Sequence, residues 1–374
     1  MLYGGVDIVI ENCSLVGSAS AATVVDNSIA GVLMTDLSVY GASSGVTLLP
    51  TQITIKDSEI FGALNNGWTH GVLINAAEQV NISNCYVGNA KQFNLFIQQT
   101  ASNFAILEVS VTNGTYIDGA GTDSVRITGA AGNGTSYIGG TFFGDCTIKG
   151  QAGQTSNGIT VDGTARGGSY SQACRNMRIA DCTISGFDAH GLKLSGGMGT
   201  TVEGCTIAGN NYNNTASASG ILLGATSERT KISNNKIGDT YEGGTTSLQL
   251  YGVDVLAGAT GFTIEGNDLR YNTTAPLRDS TTNAYATGKT IKSNKGYGNI
   301  AAISPTMATS TVDYNNPYGM DCIVSIFSGT VTDIKLNGQT ITSATGIVIP
   351  KVGVDDVLNL TFSVAPSWVW WRQQ

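Results

Sequence analysis

Charge, proline and histidine are all in short supply in this chain. Charged residues make up 12% of the 374, proline occurs 6 times and histidine twice. The charge that is present sums to -8, which excludes a surface built for nucleic acid, because phosphate binding needs clustered lysine and arginine. Two histidines and 7 cysteines, with no C-x-x-C spacing among them, leave no zinc-type ligand set. No metal and no cofactor is therefore expected. The odd cysteine count argues against a secreted disulfide framework and for reduced thiols in a protein made in a bacterial cytoplasm. No apolar run approaches the roughly 20 residues of a spanning helix, so no membrane is expected either. The opening residues, Met1 to Gly5, carry neither a basic stretch nor a signal-peptide core.

What is abundant is glycine, at 49 residues, beside a hydrophobic share of 41% that is ample for a continuous core. Against that background one short pattern recurs. An apolar residue is followed, three positions on, by a small residue, and two further on by another apolar residue. It reads I-E-N-C-S-L-V-G at 10–17, I-S-N-C-Y-V-G at 82–88, I-A-D-C-T-I-S-G at 179–186, V-E-G-C-T-I-A-G at 202–209 and I-S-N-N-K-I-G at 232–238. Taking the small residue as a marker gives positions 13, 37, 58, 85, 114, 146, 182, 205, 235, 267 and 294, at intervals of 21 to 36 residues. The copies at Leu37 and Gly114 are the weakest.

A second, glycine-led strand stands inside most units, as in G-V-L-I at 71–74, G-L-K-L at 191–194 and G-I-L-L at 220–223. Two inward apolar residues flank one outward residue, the period of a strand with one buried face. Short strands repeating once per unit, without helix signals, describe an all-β solenoid, a right-handed parallel β-helix over residues 1–297. Eleven markers stacked at about 4.8 Å give a body roughly 50 Å long. Five of the seven cysteines, Cys13, Cys85, Cys146, Cys182 and Cys205, then fall at one stacked slot, where small thiols pack as apolar groups.

Residues 298–316 are expected to be a linker, and residues 317–374 a small C-terminal β-sandwich-like domain. Three of the four tryptophans, Trp368, Trp370 and Trp371, stand there and are expected to bury against partner subunits. Its N-P-Y at 316–318, T-V-T-D-I-K-L-N-G-Q at 330–339 and A-P-S-W-V-W at 365–370, after the coils, resemble the bacteriophage tailspikes and capsule depolymerases. That resemblance implies a homotrimer that binds, and mostly cleaves, a bacterial capsular polysaccharide or O-antigen. It implies a place on the virion, in the phage tail, acting at the bacterial surface. The chain opens directly in a coil, so attachment to the tail or baseplate is expected through an N-terminal region missing here. The alternative is a glycan-binding receptor-binding protein or adhesin without catalysis.

In such a solenoid, loops at the same point of each turn share one edge. The loops between marker strand and glycine-led strand carry Trp68, Tyr212 and Tyr241, with Asp118, Asp123, Asp188, Asp239 and Glu242. Flat aromatic faces suit sugars, and a carboxyl pair suits glycosidic cleavage, with about 6.5–9.5 Å between the carboxyls for inversion. Asp188 lies two coils from the Asp239–Glu242 loop, roughly 9–10 Å by strand spacing. Asp188 is read as the acid, desolvated by neighbouring Phe187, and Glu242 as the base, with Asp239 in reserve. Trp68, His190, Tyr212 and Tyr241 are read as substrate-binding, although His190 and His70 equally fit turn positions. A second edge, with Asp162, Arg166, Tyr170, Glu228 and Arg229, would suit β-elimination of a uronate.

Overall fold

The computed structural model describes residues 2–3, 6–16, 30–35, 51–62, 69–75, 77–99, 105–129, 137–151, 156–163, 173–211, 218–238, 249–281, 288–297, 304–316, 321–354 and 356–372. Each full coil gives one strand to each of three parallel sheets. In one coil these are Arg178–Ala180, Thr183–Ser185 and Leu192–Ser195. The next coil pairs in register, Ile179 with Val202, Ile184 with Ile207 and Leu192 with Ile221. The sheets hold 13, 8 and 10 strands among the described residues. Their inward residues form one apolar column, with Ile53, Val72, Val109, Ile148, Ile184, Val202, Ile232 and Ile264 each at most 1% exposed. Among the described residues no helix is long and apolar enough to cross a membrane.

The corner between the 13-stranded and eight-stranded sheets explains the repeat. One residue there takes the left-handed conformation: Asn12, Asp57, Asn84, Gly114, Asp145, Asp181, Gly204, Asn234, Gly266 and Ser293, with φ from 48° to 72°. All but the last are Asn, Asp or Gly, the types that adopt it at least cost. The small inward residue follows directly: Cys13, Ser58, Cys85, Thr115, Cys146, Cys182, Cys205, Asn235, Asn267 and Asn294. Stacking is direct, since Thr183 N–H donates to Cys146 O (2.9 Å) and Thr206 N–H to Cys182 O (2.9 Å).

Two expected markers are corrected. Thr115, not Gly114, holds the inward slot, because Gly114 is the left-handed turn residue (φ 72°) and Cys85 N–H donates to Thr115 Oγ1 (3.4 Å). Leu37 lies outside the described residues, and Glu59 N–H donates to Cys13 O (2.8 Å), so the slot that stacks on Cys13 is Ser58. Ten coils at about 4.8 Å make nine steps, roughly 43 Å. All seven cysteines are free thiols, and all but Cys13 are buried.

The C-terminal strands are antiparallel. Asp313–Asn315, Val357–Val364, Thr330–Leu336 and Gln339–Thr342 form one sheet, and Ile347–Val352, Cys322–Phe327 and Ser367–Arg372 a second. Both supply one core of Cys322, Val324, Ile334, Leu358, Trp368 and Trp370. Part of the expected linker belongs to this unit. Within 304–316, Met307 and Tyr314 pack on that core, and Pro305 O accepts the Trp368 indole N–H (2.7 Å). Residues 298–303 lie outside the described set. The tryptophans also differ from expectation: Trp368 and Trp370 are 2% and 0% exposed within their own unit, and Trp371 alone of the three stands open at 47%. The sandwich supplies its own apolar cover for two rings, so the aromatic density there does not itself require a partner.

Candidate functional site

The residue after the inward slot points outward from the eight-stranded sheet. In register these are Glu59, Tyr86, Tyr116 and Thr147. Strand spacing places adjacent rings at stacking distance, and Tyr86 and Tyr116 lie 5.8 Å apart at 12°. Phe61 extends the stack, 6.0 Å from Tyr86 at 24°. Tyr86 leans over Gly88, where a Cβ would meet its Oη at 2.7 Å, so glycine is what lets the ring lie there. All three rings are half-buried.

Carboxyls surround this ladder. Asp118 stands beside Gly88 in register, with Lys149 on its other side. Burial raises the Asp118 carboxyl above the usual range, and Lys149 opposes that. Burial, then the charge of Asp118, raises the Tyr86 phenol. Asp57 accepts from Asn84 Nδ2 (2.7 Å), and Glu59 accepts from Ser14 Oγ (3.3 Å). Ser14, Asp57, Glu59, Asn84, Tyr86 and Tyr116 line an open surface groove of about 640 Å³, with Asp118 outside its lining. That volume lies in the usual range for small-ligand sites. Stacked aromatic rings beside a carboxyl whose pKa burial raises are the elements of a sugar-binding surface with a candidate proton donor.

Five of the seven residues assigned from sequence, Trp68, Tyr212, Asp239, Tyr241 and Glu242, lie outside the described residues. Asp188 is half-buried in the bend at 186–190, at the corner joining the eight-stranded and ten-stranded sheets. Phe187 was expected to cover it. Instead Phe187 is 0% exposed and fills the core, its ring 2.6 Å from where a Gly150 Cβ would stand and 2.8 Å from one on Gly158.

His190, read from the sequence as substrate-binding or a turn residue, lies directly before the glycine-led strand. It is 8% exposed, and its Nδ1 accepts the Ser219 N–H (3.1 Å) with Ser219 Oγ at 3.0 Å. Its own N–H donates to Asn157 Oδ1 (3.2 Å), and Asn157 Nδ2 donates to Asp123 Oδ1 (2.8 Å). Burial pushes the imidazole down to about 4, so it is neutral at pH 7 and held within the wall. His70 is similar: 7% exposed, stacked on Phe93 at 5.3 Å and 2°, and pushed by burial to about 4. On the second edge, Asp162 pairs with Arg126 (2.7 Å), which also reaches Asp123 (3.2 Å). Arg166 and Tyr170 are outside the described residues. Among the described residues no cluster of three His, Cys, Asp or Glu side chains could hold a metal ion.

The Phe61–Tyr86–Tyr116 stack was missed from sequence. Its signal is visible in retrospect: tyrosine directly follows the inward slot in two successive coils, in N-C-Y-V-G and G-T-Y-I-D.

Comparison with known proteins bears on the fold. No curated protein matches the sequence. Among solved structures, ORF18 of Geobacillus virus E2 is similar with a TM-score of 0.54 and 14% identity, over 97% of this chain and 69% of that one. The enzymatically active domain of tailspike protein 2 of bacteriophage CBA120 aligns with a TM-score of 0.48 and 12% identity, over 98% of this chain and 68% of that one. Tailspike protein gp49 of Acinetobacter baumannii bacteriophage Fri1, a capsular polysaccharide depolymerase, aligns with a TM-score of 0.36 and 11% identity, over 85% of this chain and 66% of that one. The chain thus spans about two thirds of the length of these proteins, and the likeness is one of fold. Residues 111–304, more than half of the 374, match the family described as "Right handed beta helix region". With three parallel sheets wound coil on coil around one core, the chain belongs to the right-handed beta helix family.

Proposed function

We propose that this chain is the body of a phage tailspike that binds a bacterial surface polysaccharide, capsule or O-antigen, and depolymerises it. The observation that carries this reading is the outward stack of Phe61, Tyr86 and Tyr116 with Asp118 at its edge. A core needs no such stack, and a sugar chain laid along the helix axis would meet one ring per coil. Hydrolysis is favoured over β-elimination, because Asp118 has the environment of a proton donor and Asp162 is engaged by Arg126. The sequence-based assignment of an inverting pair, Asp188 as acid with Glu242 or Asp239 as base, belongs to the same proposal. Asp118 is a second choice of acid, favoured by its raised pKa. A homotrimer carried on the virion tail completes the reading.

The test is incubation with a panel of purified capsules and O-antigens, assayed for reducing ends and for unsaturated uronate absorbance. Reducing ends without the absorbance support hydrolysis. Binding without product supports a non-catalytic receptor-binding protein, and neither binding nor product defeats the proposal. Asp118→Asn, Asp188→Asn and Glu242→Gln then decide the acid and base, each by loss of turnover with binding kept. If Asp118 is the acid, turnover declines as pH rises through its raised pKa, because the carboxyl must be protonated to donate. Light scattering of the intact protein and of one lacking residues 317–374 tests the trimer and its terminal contacts.

A further inference from the structure

We infer that Tyr271 is a second sugar-stacking platform, five coils beyond Asp118 on the same edge, for the apolar face of an uncharged pyranose. This rests on the glycan reading above and extends it to a distal subsite.

The slot is defined by the fold. Four positions after the inward residue, the chain turns from the eight-stranded toward the ten-stranded sheet through a left-handed residue. Asn89 (φ 55°), Gly119 (69°), Gly186 (79°) and Gly209 (62°) fill it in other coils, all residues that accept this conformation readily. In the coil of Asn267 the slot holds Tyr271, at φ 63°. A bulky aromatic there is held against its backbone preference, and such strain persists only where the surroundings enforce it. Tyr271 is nevertheless 62% exposed, the most open of the large hydrophobic side chains among the described residues.

The surroundings do enforce the turn. Leu269, two residues before, is fully buried. Asn272, directly after, donates through Nδ2 to Leu269 O (2.8 Å) and Ile237 O (3.0 Å) and accepts from Gln249 Nε2 (2.7 Å). Gln249 Oε1 in turn accepts from Asn210 Nδ2 (2.9 Å), and both Gln249 and Asn210 are 0% exposed. A clamp reaching through three coils therefore holds up one exposed ring. Beside it, the Arg270 guanidinium lies 5.5 Å from the ring centroid and is bound through two nitrogens to Asp268 (2.8 and 2.6 Å). Asp268 neutralises that cation, so the platform offers a flat, polarised face without net charge. Such a face suits a sugar's C–H groups rather than a uronate. Five coils separate it from Asp118, about 24 Å at the strand spacing, which a polysaccharide lying along the axis covers with several sugar units.

The experiment uses the full chain and a polysaccharide that the unmodified protein binds in the panel above, intact and as purified oligosaccharides from disaccharide to octasaccharide. Tyr271→Gly should keep or raise Tm, because glycine relieves the left-handed strain. It should weaken binding of the intact polymer and the octasaccharide about tenfold while leaving the shortest fragments unchanged. Tyr271→Phe should bind as the unmodified protein does, and affinity should vary little with salt. Polymer affinity retained by Tyr271→Gly, a lowered Tm, or strong salt dependence would overturn the subsite while leaving the Tyr86–Tyr116 site standing. If the unmodified protein binds no polysaccharide in the panel, the glycan reading falls and the subsite with it.

Discussion

The inward slot of the β-helix is filled by thiols in one stretch of coils and by amides in the next. Cys85, Cys146, Cys182 and Cys205 each hold Sγ 3.2 to 3.3 Å from the carbonyl two residues earlier, and three of them also reach a carbonyl of the coil before, at Ile55 (3.5 Å), Val111 (3.1 Å) and Ile179 (3.6 Å). Asn235, Asn267 and Asn294 donate to the coil before through a stronger donor, Nδ2, at Val202 O (2.9 Å), Ile232 O (3.0 Å) and Ile264 O (2.9 Å). Their Oδ1 atoms accept backbone N–H groups of the preceding coil, from Cys205 (2.9 Å), Asn235 (2.9 Å) and Asn267 (3.1 Å). A thiol has one proton and is a weak donor, so it mainly fills volume. An amide has two donors and two lone pairs, and here it uses both sides to tie neighbouring coils together. The slot demands smallness; what differs is how much coupling comes with it. Hydrogen bonding to Cys182, together with burial, raises the Cys146 and Cys205 thiols, and burial raises Cys85, so these are packing groups rather than nucleophiles.

The sharpest way to break this comparison is at the middle of the amide run. Asn267→Ala strands the Asn235 N–H and Nδ2 and the Ile232 carbonyl, and should cost about 4 kcal/mol in denaturant unfolding. A loss no greater than that of a cysteine deletion would show that the amides couple nothing. Next in size is a third ladder, Asp123–Asn157–His190–Ser219, which differs in carrying a titratable member. With His190 at about 4 when folded and near 6.5 when unfolded, its stabilisation is complete above pH 6.5 and is lost as pH falls toward 4. That term is about 3 kcal/mol, so unfolding midpoints at pH 7 and pH 4.5 should diverge for the native chain and converge for His190→Gln. Cys182→Ala should cost about 1–2 kcal/mol, as a small cavity without stranded polar groups. Cys182→Ser should cost less, because Ser58 already makes the equivalent bond to Lys56 O (2.7 Å). The smallest effect is expected for Cys205→Asn, within about 1 kcal/mol, since it lengthens the amide run by one rung. A large loss there would mean that the two halves of the stack differ in shape as well as in chemistry.

How much could be read beforehand follows the same division. The cysteine and asparagine slot was legible because its two flanking apolar residues repeat almost letter for letter. Thr115 was misread as Gly114 because glycine serves as the turn residue there, and a search for small residues stops one position early. Leu37 imitated a marker because M-T-D-L-S-V-Y-G happens to carry the same spacing inside a single coil of 45 residues, Cys13 to Ser58. At the corners the alternation of inward and outward residues breaks, so whether Phe187 covered Asp188 or entered the core was not decidable from spacing. The burial of His190 was hidden for another reason: nothing local in A-H-G tells which groups of the next coil will meet the ring. Tyr86 stood in plain view in I-S-N-C-Y-V-G, and Tyr116 two residues after the weak marker Gly114, but an aromatic in a strand reads as core until its register partner is known.

The run of bonds from coil to coil has a mechanical consequence. Backbone bonds such as Thr206 N–H to Cys182 O, and the amide bonds of Asn235 and Asn267, all point along the long axis. Traction on the two ends therefore loads the coils in series, like links of a chain, and the weakest joint carries the same force as the strongest. Joints made by asparagine hold through amide bonds on both sides, where joints made by cysteine hold through one weak thiol donor, so the thiol stretch should open first under load. Each coil that lets go frees about 30 residues, as between Cys205 and Asn235, or about 100 Å of extended backbone. Stretched as a single molecule, the body would lengthen in steps set by coils of 23 to 45 residues, the later ones at higher force.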